Sequence, residues 1–473
     1  MKYLNKIIEY GLYLLVFLLP IQTRWIIKAG ETEYSTYSLY GTDILLLVIL
    51  ALFFILKFSI FNFQFSNNFQ LINFQTKRKI QNTKYKIQIW WFVLGLILVS
   101  VVSIFFGLDK ILALYKFGWL ILGIGLFWLI VSASYNRLKL IYVFLAGVFL
   151  QAILGIWQFL TQTSFANKWL GIALHNPSDL GVSVVETISE RWLRAYGGLD
   201  YPNMLGCVIV IGILLLIGQI IVMKQGSNFQ FSIFNFKIIF NARIFKIMLW
   251  LLLLIFVTAL FFSFSRTAWL GLVVGLVVII ILVKITKNLV LQKQLAKIVL
   301  AMGVLIFLLF SQCQNLVIAR VSGEGRLESK SIAERTNLYQ ECWHLIKNNW
   351  LVGVGIGNYT LTTRNKIFVN QASYSYQPVH NTFFLIWSEI GIFGLIFFVG
   401  LFFYILISNF QIIFKNKLEI YNYNKLFNLS ILGSLIIFLS FDHWWWSLHF
   451  GVLFFWLIIG LIVDNLYIKK VIN

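Results

Sequence analysis

His380 heads the stretch QPVHNTFFLIWSEIGIFGLIFF, residues 377 to 398, in a chain with only five histidines. An imidazole is largely neutral near pH 7, so His380 offers a nitrogen that can take a proton from an attacking hydroxyl. The competing reading is a histidine that merely ends a helix at an interface. Asn381, beside it, is placed to orient it or a sugar. Glu389 is the acid of this stretch, but nine residues along a helix is ~13 Å and about the opposite face. A His380–Glu389 dyad is therefore not expected unless the helix is broken. Gly391 and Gly394 read as close-packing positions between helices.

Arginines supply the second kind of chemistry. Arg266, in FFSFSRTAWLGLVVG, sits at a very short turn between two strongly apolar runs, where solvation is poor and a partner is needed. The alternative is a snorkelling interfacial cation. Arg194, in RWLRAYGGLDYPNMLG, precedes the flexible Gly197–Gly198 turn and a helix opened by Pro202. The N-terminus of that helix can attract an anion, and Asn203 in its first turn is a candidate acceptor or sugar contact. An ordinary loop cation is the rival reading of Arg194. Arg335 lies in SIAERTNLYQECWHLIK, where pairing with Glu328 or Glu341 competes with ligand binding.

Other motifs are weaker. GVGIGN at 353 to 358 resembles a phosphate loop but follows no βαβ pattern, so nucleotide binding is not expected. There is no Asp-x-Asp and no metal-spaced His/Asp/Glu cluster, so phosphate chemistry is expected to run on arginines with no metal or cofactor. Asp442 and His443, in SFDHWWWSLHFG, read as part of an aromatic interface anchor, with sugar stacking as the alternative. Cys207, Cys313 and Cys342 form no CxxC pair and allow at most a Cys313–Cys342 disulfide.

These residues need a membrane scaffold. The chain has 473 residues, 60% of them hydrophobic and 12% charged. Runs such as 41 to 60 and 246 to 265 approach the ~20 apolar residues that cross a bilayer as a helix, and they lack the alternation of a β-barrel strand. An all-α polytopic membrane protein of about 12 spans is expected, roughly 8–22, 41–60, 88–106, 111–132, 139–160, 203–223, 246–264, 267–284, 297–312, 381–408, 427–441 and 447–466. Pro20, Gln22, Arg24 and Trp25 follow the first run where a cleavage site would lie, so it reads as a span.

Every second loop is rich in lysine, which predicts cytoplasmic termini and accounts for the +21 net charge without a nucleic-acid partner. With that orientation Arg24, Arg191, Arg194, Arg266, Arg320, Arg326, Arg335 and Arg364 fall outside, against Arg78, Arg137 and Arg243 inside. Arginine's planar fork grips phosphate with two donors and does not lose its proton. The bias predicts a phosphate-bearing, lipid-anchored ligand on the exoplasmic face.

The expected organisation is an N-terminal bundle at 1–312, an exoplasmic loop subdomain at 313–380 between the ninth and tenth spans, and C-terminal helices at 381–473. Within the loop, Ser331 to Lys347 reads as a helix with a Ser331/Glu334 capping box. Low-complexity tracts near 58–87 and 225–245 each carry FSIFNF and look like repetitive insertions, or alternatively interfacial docking segments.

In order and spacing, SFSRTAWLGL (263–272), ERTNLYQECWHLIKNNWLVGVGIGNY (334–359) and PVHNTFFLIWSEIGIFGLIFF (378–398) resemble the O-antigen ligase and O-antigen polymerase superfamily, over a region of about 250–410. RAYGGLDYPNMLG (194–206) resembles its upstream arginine and Pro-Asn segment. The resemblance implies a bacterial inner-membrane glycosyltransferase moving a glycan from an undecaprenyl-diphosphate donor to a lipid, glycan or protein hydroxyl. It implies that Arg194 and Arg266 hold the diphosphate, that His380 activates the acceptor, and that Arg335 is a recurrent loop arginine. Thr267 stands where a glycine is common. Polymerase and protein O-glycosylase activities are alternatives within the family. A transporter is the alternative outside it, with Gln151 and Gln158 as its mid-span polar hints.

Overall fold

In the computed structural model, residues 1–67, 77–222, 229–233, 236–240, 242–322, 325–367, 371–415 and 423–467 are described. The chain runs α1 (Lys2–Leu18), β1 (Arg24–Lys28), β2 (Tyr37–Tyr40), α2 (Gly41–Asn67), α3 (Lys77–Ile104), α4 (Lys110–Ser132) and α5 (Arg137–Thr161). It continues through β3 (Val184–Glu186), β4 (Arg191–Leu193), α6 (Pro202–Val222), β5 (Phe229–Ile233), β6 (Phe236–Phe240), α7 (Ala242–Phe262), α8 (Arg266–Ile285) and α9 (Leu289–Gln312). It ends with α10 (Gln314–Ser322), α11 (Arg326–Asn349), α12 (Tyr359–Lys366), α13 (Thr382–Lys415), α14 (Tyr423–Phe441), α15 (Trp444–Ser447) and α16 (His449–Tyr467). The strands form three two-stranded antiparallel hairpins.

Eight helices among the described residues are long and apolar enough to cross a membrane: α2, α4, α5, α6, α7, α8, α9 and α13. The other expected spans fall on helices too, but α1 is not among these eight, and the apolar parts of α3, α14 and α16 are shorter. The chain is thus an all-α, multi-pass membrane protein. Polar caps start several spans. Asp109 accepts from Ile111 and Leu112 N–H, Ser265 from Ala268, and Asn288 from Val290 and Leu291. These oxygens satisfy helix-end donors that neither lipid nor an intrahelical carbonyl would reach.

One compact unit comprises Met1–Leu140, Ser331–Ile412 and Leu439–Asn473. In it α4 packs along α16, and a Cβ at Gly123 would meet the Trp456 ring at 2.3 Å, so the bare glycine lets the indole lie against the helix. Trp444 and Trp445 stack at 4.0 Å, and Phe450 and Phe454 at 5.2 Å.

The second unit comprises Ile141–Lys330 and Ile413–Phe438. Its centre is α6, buried over 89% of its span and packed by α7, α8 and α9. α9, buried over only 17%, presents the rest of its apolar surface outward, as a lipid-facing helix would.

Two local expectations change. α11 starts at Arg326, so Ser331 lies inside the helix and caps nothing. RLESKS is rich in good helix formers, and Glu328 in the first turn complements the helix dipole, which extends the helix upstream. None of the three cysteines is in a disulfide, so no Cys313–Cys342 bridge forms. The first FSIFNF copy continues α2; of the second, residues 231–233 belong to β5 and Phe236 begins β6. Residues 68–76, 223–228 and 234–235 of the repetitive tracts, and Lys224, Lys417, Lys469 and Lys470 of the basic loops, lie outside the described residues.

Candidate functional site

The chain turns from α7 to α8 in three residues, Ser263, Phe264 and Ser265, with Phe264 at φ 44°. The last carbonyls of α7 are taken by backbone N–H groups, those of Ala259, Leu260 and Phe261 by Ser263 and Phe264 and that of Phe262 by Ala195. Two carbonyls of the turn itself are taken by arginines from distant segments. Arg194 donates Nε–H to the Ser263 carbonyl at 2.8 Å, and Arg320 of α10 donates Nε–H to the Phe264 carbonyl at 3.0 Å. Arg266 is the first residue of α8, immediately beyond the same turn.

Around this hub Arg194 also donates to Asn203 Oδ1 at 2.9 Å. Glu328, in the first turn of α11, takes Arg266 Nη2 at 2.9 Å on one oxygen and Arg320 on the other. Two guanidinium groups thus share one carboxylate, and a third, that of Arg194, is anchored on the same turn. Burial, with Arg320 and Arg266 nearby, pushes the Arg194 pKa well below the ordinary arginine value. A concentration of cation forks this strong, in a poorly solvated place, is chemically suited to a multivalent oxyanion.

Two glutamines hold the turn that follows Arg194. Gln158 accepts from Tyr196 and Gly197 N–H at 3.0 and 2.8 Å and donates to the Gly197 carbonyl, while Gln151 accepts from Gly198 N–H. The Gly197–Gly198 turn, expected to be flexible, is clamped. Gly197 has φ 62°, which suits glycine. The two mid-span polar residues are therefore engaged with backbone, and nothing in them favours a transport path.

His380 belongs to the other unit. Its Nδ1 lies 3.6 Å from Asp442 Oδ1, and its side chain keeps 21% exposure against 4% for Asp442. That is an ionic neighbour rather than a hydrogen bond. Nδ1 is buried and has no hydrogen-bond partner among the described residues, and the same holds for Asp442 Oδ2. The arrangement turns Nδ1 inward to the carboxylate and leaves Nε2 as the nitrogen that can meet a hydroxyl.

His443 stacks obliquely on His380 with ring centroids 4.9 Å apart, and its Nδ1 is 2.7 Å from Ser447 Oγ. Burial, then His380 and Arg335, hold the His443 pKa well below the usual imidazole value, so it stays neutral near pH 7. Arg335 is half-buried on α11, in the electrostatic field of His443.

The helix-capping part falls to Asn381. Its Oδ1 accepts from Phe383 and Phe384 N–H at 3.0 and 3.1 Å, while Nδ2 reaches the Ser440 carbonyl and Tyr339 Oη. Asn381 thus ties α13 to the end of α14 and to α11, which sets His380 in place.

Glu389 has different partners, in keeping with the expectation that it forms no dyad with His380. It accepts from Gly357 N–H at 2.9 Å, Tyr359 N–H at 3.4 Å and Trp446 Nε1 at 2.8 Å. The anion held by the glycine-rich loop is the protein's own carboxylate. Gly391 adopts φ 75° and ψ −179°, kinking α13, and a Cβ there would meet the Leu351 carbonyl oxygen at 2.0 Å. Its role is a close approach of loop backbone, not the helix packing expected of it. For Gly394, the nearest atoms belong to Ile390 of the same helix.

The sequence-predicted residues thus form two groups: Arg194, Arg266 and Asn203 in one unit, and His380, Asn381 and Arg335 in the other. Arg320 and Glu328 complete the first group and Asp442 and His443 the second. Asp442 was hidden among tryptophans, and its adjacency to His443 was the only available signal.

The arginine-bearing turn, the loop helices and the His380 end of α13 all lie within residues 251–399, which match the family model described as O-Antigen ligase. The chain is a polytopic membrane protein whose residues 251–399 match that family model. This supports a glycosyltransferase-like role in polysaccharide biosynthesis. Arg194, Asn203, Asp442 and His443 lie outside the matched residues. No curated protein matches the chain.

Proposed function

We propose that the protein transfers a glycan from a lipid-diphosphate donor, of the undecaprenyl-diphosphate type, to an acceptor hydroxyl at the exoplasmic face of a bacterial cytoplasmic membrane, with both termini cytoplasmic. Residues 313–380 are then the exoplasmic part between membrane segments. The observation that carries the reading is the anchoring of Arg194 and Arg320 on the one turn that launches Arg266.

In the reaction, the acceptor oxygen forms a bond to the anomeric carbon as its proton passes to His380 Nε2. The bond from that carbon to the phosphate oxygen breaks, and the lipid diphosphate leaves with the electron pair. The arginines stabilise the charge that grows on the leaving group, an electrostatic role of the kind that often dominates catalysis. Asp442 faces His380 Nδ1 and favours the imidazolium formed by the transfer.

The test is to supply purified protein in vesicles with lipid-diphosphate-linked glycans and offered acceptors, and to identify what the glycan becomes attached to. New glycosidic linkage to a lipid, glycan or protein hydroxyl, with release of lipid diphosphate, is expected and names the acceptor class. Solute uptake without any transfer would replace this reading with a transporter.

A further inference from the structure

Resting on the donor reading above, we infer that Glu328 is an internal surrogate for the donor diphosphate: it occupies the Arg266–Arg320 pair between turnovers and is displaced when the diphosphate binds, with Arg320 serving as the third diphosphate-binding arginine.

The anchoring of the three arginines is unequal. Arg194 and Arg320 each spend Nε on a backbone carbonyl of the α7–α8 turn. Those bonds do not involve Glu328, so both guanidinium groups stay in place when it leaves. Arg266 is 35% exposed, and its ion-pair partner among the described residues is Glu328. Its approach to Oε2 is an ion pair at 2.9 Å without hydrogen-bond geometry, since Oε2 has no hydrogen-bond partner among the described residues. The Arg266 side of the latch is therefore the loose side, and the exposed one.

The carboxylate itself is close to fully buried, with 9% side-chain exposure. A buried carboxylate persists only with compensating charge. Two guanidiniums supply that now, and the first-turn position in α11 supplies a dipole that remains favourable after they are given up. A diphosphate offers more acceptor oxygens and more charge than one carboxylate, so it competes for the same forks. The return of Glu328 then helps expel the product diphosphate, which three unopposed arginines would retain.

Binding of inorganic pyrophosphate and of a prenyl diphosphate to the full-length protein in lipid nanodiscs tests this, with transfer measured separately. Glu328→Gln is expected to tighten both by about five- to tenfold, from removal of one competing charge a few ångströms away. It should also slow product release. Arg320→Lys is expected to weaken binding about tenfold, because a point charge replaces a fork.

Unchanged or weaker binding in Glu328→Gln overturns the surrogate, since a carboxylate that merely props the arginines would give that result. A folding defect is read apart from this. Diphosphate must raise the unfolding temperature of Glu328→Gln by more than it raises that of the wild type, and a smaller rise counts against the proposal. Wild-type binding with no gain in Glu328→Gln sinks the surrogate and leaves the donor reading standing. No diphosphate binding by the wild type removes both.

Discussion

Asp442→Asn removes the charge that faces His380 Nδ1 at 3.6 Å while keeping the size of the side chain. Two unit charges at that distance interact by about 1 kcal/mol in water and by about 4–5 kcal/mol at an effective dielectric of 20. Asp442 is 4% exposed and His380 21%, so the pair lies between these limits. In the proposed reaction the acceptor proton moves to His380, and Asp442 faces the imidazolium so formed, so the loss falls on the chemical step. At about 1.4 kcal/mol per factor of ten, kcat should fall about ten- to a few hundredfold. The assay is single-turnover transfer from saturating lipid-linked donor, alongside donor binding and the amount of folded protein in the membrane. Donor affinity should be unchanged, because the residue lies outside the arginine cluster. An unaltered rate would refute the reasoning, and so would a loss confined to donor binding.

Three further outcomes follow from local geometry. Gly391→Ala forces a side chain into a conformation reserved for glycine and against the Leu351 carbonyl, so stability should fall by more than about 1–3 kcal/mol, read as a lower unfolding temperature in detergent. Asn381→Ala removes the cap of α13 and should cost about 0.5–2 kcal/mol, with transfer reduced through misplacement of His380; Asn381→Ser should recover part of the stability if capping is the cause. Burial raises the Glu341 carboxyl to about 7, so the folded state holds that proton more tightly than the unfolded chain. Its stabilising contribution is complete below the unfolded value of 4.5 and is lost as pH rises through about 7. Thermal unfolding from pH 5 to 8 should be less pH-dependent in Glu341→Gln.

The membrane helices were legible because an uninterrupted apolar run near bilayer length admits few other structures in lipid. Their polar ends were less so. Ser331 has a good capping signature, yet the upstream RLES segment simply continues the helix, and a short motif cannot outweigh helix formers on both sides. Arg266 was readable because a cation in a very short apolar turn demands a partner. Which partner was not readable, since Glu328 lies on a helix far along the chain. Arg320 reads in the sequence as one arginine among several, and only the α7–α8 turn brings it beside Arg194. Three tryptophans drew Asp442 and His443 toward an anchoring role, whereas the fold buries both and places them beside His380. Gln151 and Gln158 looked like a polar path through the membrane, and their actual partners are the backbone groups of Tyr196, Gly197 and Gly198.

Arg266→Lys and His380→Ala, assayed side by side, separate arginines that hold the donor from a histidine that activates the acceptor. With a radiolabelled glycan on a lipid diphosphate, Arg266→Lys is expected to abolish transfer while the protein remains in the membrane. His380→Ala is expected to lose transfer but still bind the donor. Full transfer by either variant would overturn the proposed roles, as would a His380→Ala protein whose only defect is in donor binding.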